Sequence, residues 1–307
     1  MTRRRTALAL LLVAALVAIG AGAYTTVRTP EHPPRVWGGV VASRPPCGTA
    51  ARPPATYRHV VWLVMENKDY EDIIGAGDAP YMTALAGACG VAANFFAETH
   101  PSAPNYIAMT SGDTHGVVND EDPIEHPIDA QSIFSELGSG RWRALAEAMP
   151  SSCRLKFDLP EYYARHNAPA YYANLRGDCR KYDVPLGRTP DLSARFTFIA
   201  PSSCHSMHTC KVADGDAWLE RFMPKVFASP EYRAGRTAVF LTFDESAGPG
   251  PNHIATIVMA PSVRPGTVAH QRFDHYSLLR TTLELLGLHD FLGRAATAPT
   301  MRRAFGI

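Results

Sequence analysis

The chain has 307 residues, 46% hydrophobic and 19% charged, with 30 basic residues against 29 acidic ones and a formal charge of +1. That balance excludes a disordered tail and a short disulfide knot. With no run of five like charges, the sequence offers no field for a nucleic-acid backbone or an anionic membrane surface, so a nucleic-acid partner is not expected.

At the start, Arg3, Arg4 and Arg5 precede an uncharged run from Thr6 to Ala23 that ends in Ala21-Gly22-Ala23. This is the pattern of a secretory signal over residues 1–23. An uncleaved anchor is the alternative, because the run lies near the lower length for a spanning helix. Either reading puts the rest outside the cytoplasm, with a membrane expected only through such an anchor or a lipid substrate. Residues 24–55 carry seven prolines and read as an extended linker.

Beyond the linker, His59–Met65 is a short continuous apolar run, as expected of a strand buried on both faces. Helical patterns follow at Pro80–Cys89 and Asn105–Thr110. Residues 113–194 are rich in Pro, Gly, Tyr and charge with weak periodicity, and read as loops capping the sheet. Buried-strand runs return at Phe196–Ile199, Ala238–Phe243 and Ile254–Met259, with helical patterns at Asp216–Phe227 and Tyr276–Leu286. The alternation predicts a single α/β domain over residues 56–307, a three-layer α/β/α sandwich around a mostly parallel central sheet.

Six cysteines form an even set with no CxxC pair, so disulfides are expected and zinc is not. Proximity favours Cys204–Cys210 and Cys153–Cys179, which leaves Cys47 for Cys89.

Two acidic pairs follow buried strands, Glu66-Asn67 after Val60–Met65 and Asp244-Glu245 after Ala238–Phe243. Strand carboxyl ends face the ligand crevice of an open α/β sheet, so four oxygen-bearing side chains converge there. Hard donors in that number suit Ca²⁺ or Mg²⁺; the plainer alternative is that they begin loops or cap helices. Ser102 directly precedes a helical pattern, where free N–H groups favour an anionic ester beside its hydroxyl, although a serine there also serves as a simple cap. A GxSxG elbow is absent, so acyl transfer on an α/β-hydrolase fold has no support. Among the twelve histidines, His208 stands out inside the Cys204–Cys210 loop, with His166, His253 and His275 as further candidates near predicted element ends.

Two segments, Met65-Glu66-Asn67-Lys68-Asp69-Tyr70 and Glu98-Thr99-His100-Pro101-Ser102-Ala103-Pro104-Asn105-Tyr106, resemble the bacterial phosphoesterase family of secreted acid phosphatases and phospholipases C. That family belongs to the alkaline-phosphatase-like superfamily. The likeness continues through Gly215–Leu219, Thr242–Ser246, Asn252–Ile254 and His275–Thr281, and is greater to the acid phosphatases than to the larger phospholipases C. The resemblance implies Ser102 as a nucleophile that becomes phosphoserine, and Glu66, Asn67, Asp244 and Glu245 as ligands of one divalent cation. It further implies that Asn105 binds a phosphoryl oxygen, that His208 and His166 contact phosphate or donate a proton, and that His275 assists in substrate binding. Where relatives read Asn-Asp-Met-His-Asp, this chain has His205-Ser206-Met207-His208-Thr209, so two carboxylates near His208 are gone.

The expectation is an exported phosphomonoesterase acting on small phosphate esters or phospholipid headgroups. The alternatives are phospholipase C chemistry at the same nucleophile, or a non-catalytic extracellular binding protein. A histidine protonating the leaving group favours a mildly acidic optimum.

Overall fold

In the computed structural model, residues 45–307 are described, apart from 157–159. The expected signal and the linker as far as residue 44 lie outside the described residues. Strand β1 (His59–Met65) is buried along all but its first residue, as a continuous apolar run requires at the centre of a sheet. Around it stand β2 (Gly90–Phe96), β3 (Trp142–Ala146), β4 (Asp183–Pro185), β5 (Phe196–Ala200), β6 (Thr237–Phe243), β7 (His253–Met259), β8 (Thr267–Ala269) and β9 (Phe273–Asp274). Their order is β4-β3-β5-β1-β6-β7-β2-β8, with β9 also pairing β2.

Successive β1 side chains point to opposite faces. Trp62 donates through Nε1 to Thr282 Oγ1 at 2.9 Å, so the helix His275–Leu285 covers one face. Val61 and Leu63, on the other face, are just as buried. Helix Ser102–Ser111 packs with His275–Leu285, and Pro80–Ala88 with Val212–Ala228. In the latter pair, Asp216 accepts the N–H groups of Tyr81 and Met82 at 2.9 and 2.8 Å, satisfying free donors in the first turn of the Pro80 helix.

The sheet is mostly parallel, as expected, but β7 runs antiparallel to both β6 and β2. Residues 244–252 contain no helix. A parallel return needs a crossover of about a dozen residues or more, so this link only permits a hairpin. Residues 113–194 are not all loop either: β3 and β4 extend the parallel sheet beyond β5, and helices form at Ile133–Leu137 and Arg176–Tyr182. Trp142-Arg143-Ala144-Leu145-Ala146 is too short and too interrupted by arginine for its strand character to show in sequence.

The described part of the expected linker, residues 45–55, is fastened to the domain. Cys47 is bonded to Cys89, the N–H groups of Thr49 and Ala50 both donate to the Pro261 carbonyl at 2.9 and 2.8 Å, and Tyr232 Oη donates to the Pro46 carbonyl at 2.6 Å. The other disulfides are Cys153–Cys179 and Cys204–Cys210, the two pairings that proximity favours. Among the described residues, no helix is long and apolar enough to cross a membrane.

Candidate active site

Strands β1 and β6 run in register from His59 opposite Thr237 to Met65 opposite Phe243, so Glu66 and Asp244 leave the sheet side by side. Asp244 Oδ1 accepts the Asn67 and Glu245 N–H groups at 3.1 and 2.7 Å, which folds both acidic pairs around one carboxylate. Asn67 achieves this turn in the left-handed region, with φ 54°. Ser102 begins its helix with its Oγ 3.3 Å from Glu66 Oε2 and 3.2 Å from Glu245 Oε1. A single hydroxyl hydrogen serves only one of these at a time. The other Glu66 oxygen accepts the Tyr106 phenol and lies 3.3 Å from His166 Nδ1.

Three carboxyls are thus crowded out of water. Burial, and then the neighbouring Asp244 charge, push Glu66 well above the ordinary carboxylate range. Burial raises Asp244 to about 6, while burial and the Asp244 charge raise Glu245 to about 8. Such a group is stable as anions only against a positive charge. Asn67 Oδ1 and Asp244 Oδ2 are buried and have no hydrogen-bond partner among the described residues. Orphaned acceptors beside crowded carboxyls make the arrangement compatible with a divalent cation.

Beyond Glu66 lie two imidazoles. Ligand atoms of Glu66, His166 and His208 all fall within 4.8 Å of one another. His166 stacks on the Tyr106 ring with centroids 5.4 Å apart, and its own centroid is 5.3 Å from that of His208. Burial holds both histidines below their ordinary value, with the Arg165 charge adding to it. The His208 loop is fixed by Cys204–Cys210, by Glu66 N–H donating to the Ser206 carbonyl at 2.9 Å, and by Lys68 Nζ donating to the Met207 and Asn67 carbonyls at 2.8 Å each. His205 turns to Glu147, its Nδ1 2.8 Å from Oε2.

Asn105 and His275, expected as substrate contacts, are both engaged with the protein backbone. Asn105 is fully buried; its Oδ1 accepts the Glu98 and Thr99 N–H groups, and its Nδ2 donates to the Thr99 and Pro101 carbonyls. That leaves the amide no donor to offer a phosphoryl oxygen. His275 is also fully buried, its Nε2 3.0 Å from the Phe243 carbonyl, and burial depresses it to about 4. It is a neutral brace beneath β6. His253 stacks on Tyr70 with centroids 4.7 Å apart.

Sequence reasoning passed over four residues at the site. His100 Nδ1 lies 2.6 Å from Glu245 Oε2, Tyr106 holds Glu66, and Arg165 and Asp120 meet beside the Ser102 helix. The first two stand in the segment that carries Ser102, so proximity to that serine was an available signal. Arg165 and Asp120 come from the capping segment, where no pattern flags them.

A mostly parallel central sheet with helices packed on its faces is a fold shared with alkaline-phosphatase-like proteins. Solved structures agree: a protein of that superfamily from Vibrio parahaemolyticus matches with TM-score 0.55 and 13% identity, over 84% of this chain and 74% of the other. The phosphonate monoester hydrolase of Silicibacter pomeroyi matches with TM-score 0.54 and 12% identity, over 81% and 76%. At those identities the likeness is one of fold. The Phosphoesterase family matches over residues 76–289, and the chain belongs to that family, which makes it a hydrolase of phosphate esters. The phosphatidylinositol-3-phosphatase of Mycobacterium tuberculosis is 31% identical over 277 residues, 88% of this chain and 89% of the relative. A phosphate-repressible acid phosphatase of Penicillium chrysogenum is 28% identical over 252 residues, 76% of this chain but only 59% of the fungal protein.

Proposed function

We propose that the protein is an exported phosphoric monoester hydrolase that works through a phosphoserine on Ser102. The observation that carries this reading is the Ser102 hydroxyl at a helix start, between Glu66 and Glu245. Ser102 Oγ attacks phosphorus, the ester P–O bond breaks, and the leaving oxygen is protonated from a histidine. The serine proton passes to solvent water, because Glu66 and Glu245 are committed to the cation in this reading. Water then attacks the phosphoserine and releases phosphate and the serine hydroxyl.

Glu66, Asn67, Asp244 and Glu245 are the cation ligands in this reading, with Ca²⁺ or Mg²⁺ favoured by the all-oxygen donors. A bound cation would lower the serine pKa and neutralise charge on the phosphoryl oxygens. His208 is the preferred proton donor, since it is part-exposed where His166 is buried. Its depressed pKa leaves the protonated form to mildly acidic pH, so the rate falls as pH rises through that value. The mycobacterial relative's named activity supports phosphoinositide headgroups, alongside small esters, as the substrate class.

The test is hydrolysis of a chromogenic phosphomonoester and its bis-ester across pH 4–9, for wild type and Ser102→Ala, with and without chelator. Monoester turnover that drops by about four orders of magnitude in Ser102→Ala supports the reading. Turnover of the diester alone favours phospholipase chemistry, and a rate still climbing at pH 9 removes His208 as the acid.

A further inference from the structure

The Ser102 helix presents its first free N–H groups toward the site, and one is already engaged by an anion. Asp120 Oδ1 accepts the Ala103 N–H at 2.9 Å, directly beside the nucleophile. Its other oxygen, Oδ2, lies 3.5 Å from Arg165 Nε. That distance makes an ion pair without a hydrogen bond, and Arg165 Nε is buried with no hydrogen-bond partner among the described residues. The guanidinium lies over the Tyr163 ring at 4.2 Å, and Tyr163 packs against both His166 and His208, with centroids 5.4 and 5.0 Å away. Arg165 is therefore held by a stacked ring on one side and a carboxylate on the other, between the imidazole pair and the start of the Ser102 helix.

Both charges are felt across the crevice. Arg165 lowers His166 and His208, while Asp120 raises His208 and Glu245. An arginine so placed, with an incompletely satisfied donor, is suited to an anion that presents more than one negative oxygen.

We propose that Arg165, oriented by Asp120 and Tyr163, binds non-bridging oxygens of the substrate phosphoryl group and sets a preference for monoester dianions over diesters. The assignment rests on the phosphatase reading above. A monoester dianion offers three non-bridging oxygens and about two charges, whereas a diester offers two oxygens and one charge. A guanidinium fork therefore contributes more to the first. Asp120 also keeps the site from holding product phosphate too tightly, by offsetting part of the arginine charge.

The experiment compares full-chain wild type, Arg165→Gln and Arg165→Lys at pH 7, where the monoester is mostly dianionic. It measures kcat/KM for the chromogenic monoester and diester, the Kd for inorganic phosphate by calorimetry, and the melting temperature. In Arg165→Gln, monoester kcat/KM should fall on the order of 100-fold, the monoester-to-diester ratio at least about tenfold and phosphate affinity by a similar factor. Arg165→Lys should recover part of each loss by restoring charge without the fork. A ratio and a phosphate Kd both within about twofold of wild type overturn the assignment, as does an equal loss on both esters with a lowered melting temperature. If the wild type turns over neither ester, the phosphatase reading fails by itself, and the phosphate Kd of Arg165→Gln alone decides whether Arg165 is an anion ligand.

Discussion

Replacing Asn105 with alanine separates two roles that sequence alone leaves merged. In the structure its amide makes four hydrogen bonds to the backbone of Glu98, Thr99 and Pro101, the segment that delivers Ser102 to the crevice. Each contributes about 1 kcal/mol net, and the groups left behind are partly buried, so the loss is about 4 kcal/mol. For a domain of this size that lowers the melting temperature by roughly 8 °C. Because the loop loosens, kcat should fall well over tenfold through misplacement of Ser102, with a smaller change in KM. Thermal unfolding by circular dichroism and steady-state kinetics on the same preparation supply both readouts. A variant with unchanged melting temperature and a KM raised tenfold would refute the reasoning, because that is the signature of a lost substrate contact.

Two further substitutions probe the support of the site. Burial raises the Asp183 carboxyl from its ordinary 3.8 to about 7, with the Asn167 amide at 2.8 Å partly opposing this. The native state then keeps a proton that the unfolded chain releases, so stability falls as pH rises from about 4 to about 7 and levels off above that range. The contribution is about 4 kcal/mol, and the difference in denaturant midpoint between wild type and Asp183→Asn across pH 4–8 should display it. Gly215 packs against the His208 loop, where an added Cβ would sit 2.5 Å from Met207 Cγ and 2.8 Å from the His205 carbonyl oxygen. Gly215→Ala should therefore reduce kcat about tenfold or more by shifting that loop, while inactivation by a serine-directed fluorophosphonate continues at Ser102; full activity would show that the loop tolerates the displacement.

Much of the molecule was legible because burial leaves a mark in residue type. The apolar runs of β1, β5, β6 and β7 announce themselves, and the acidic pairs are visible because they interrupt those runs abruptly. An apolar run carries no arrow, however, so the reversal of β7 depended on the length of its connection. The backbone bonds of Asn105 and His275 are hidden in the sequence for a related reason. A polar residue near a nucleophile can face the crevice or the backbone, and the motif is the same in both cases. The meeting of Asp120 with Arg165 depends on how residues 113–194 fold back over the Ser102 helix, a long-range event with no local periodicity.

The reversed β7 also leaves the sheet an adjustable margin. Since β6 and β7 join by a hairpin, the whole return from Asp244 to Asn252 stays at the carboxylate end of the sheet. Asn252 fastens its base, with Oδ1 accepting the Ser246 N–H at 2.8 Å and Nδ2 donating to the Thr99 carbonyl at 2.8 Å. Past that clasp, residues 247–251 are largely exposed. Chain can be inserted or removed at this tip without altering strand order or moving the acidic pair behind it. For grafting, tagging or enlarging the entrance to accept a bulkier ester, it is the natural seam.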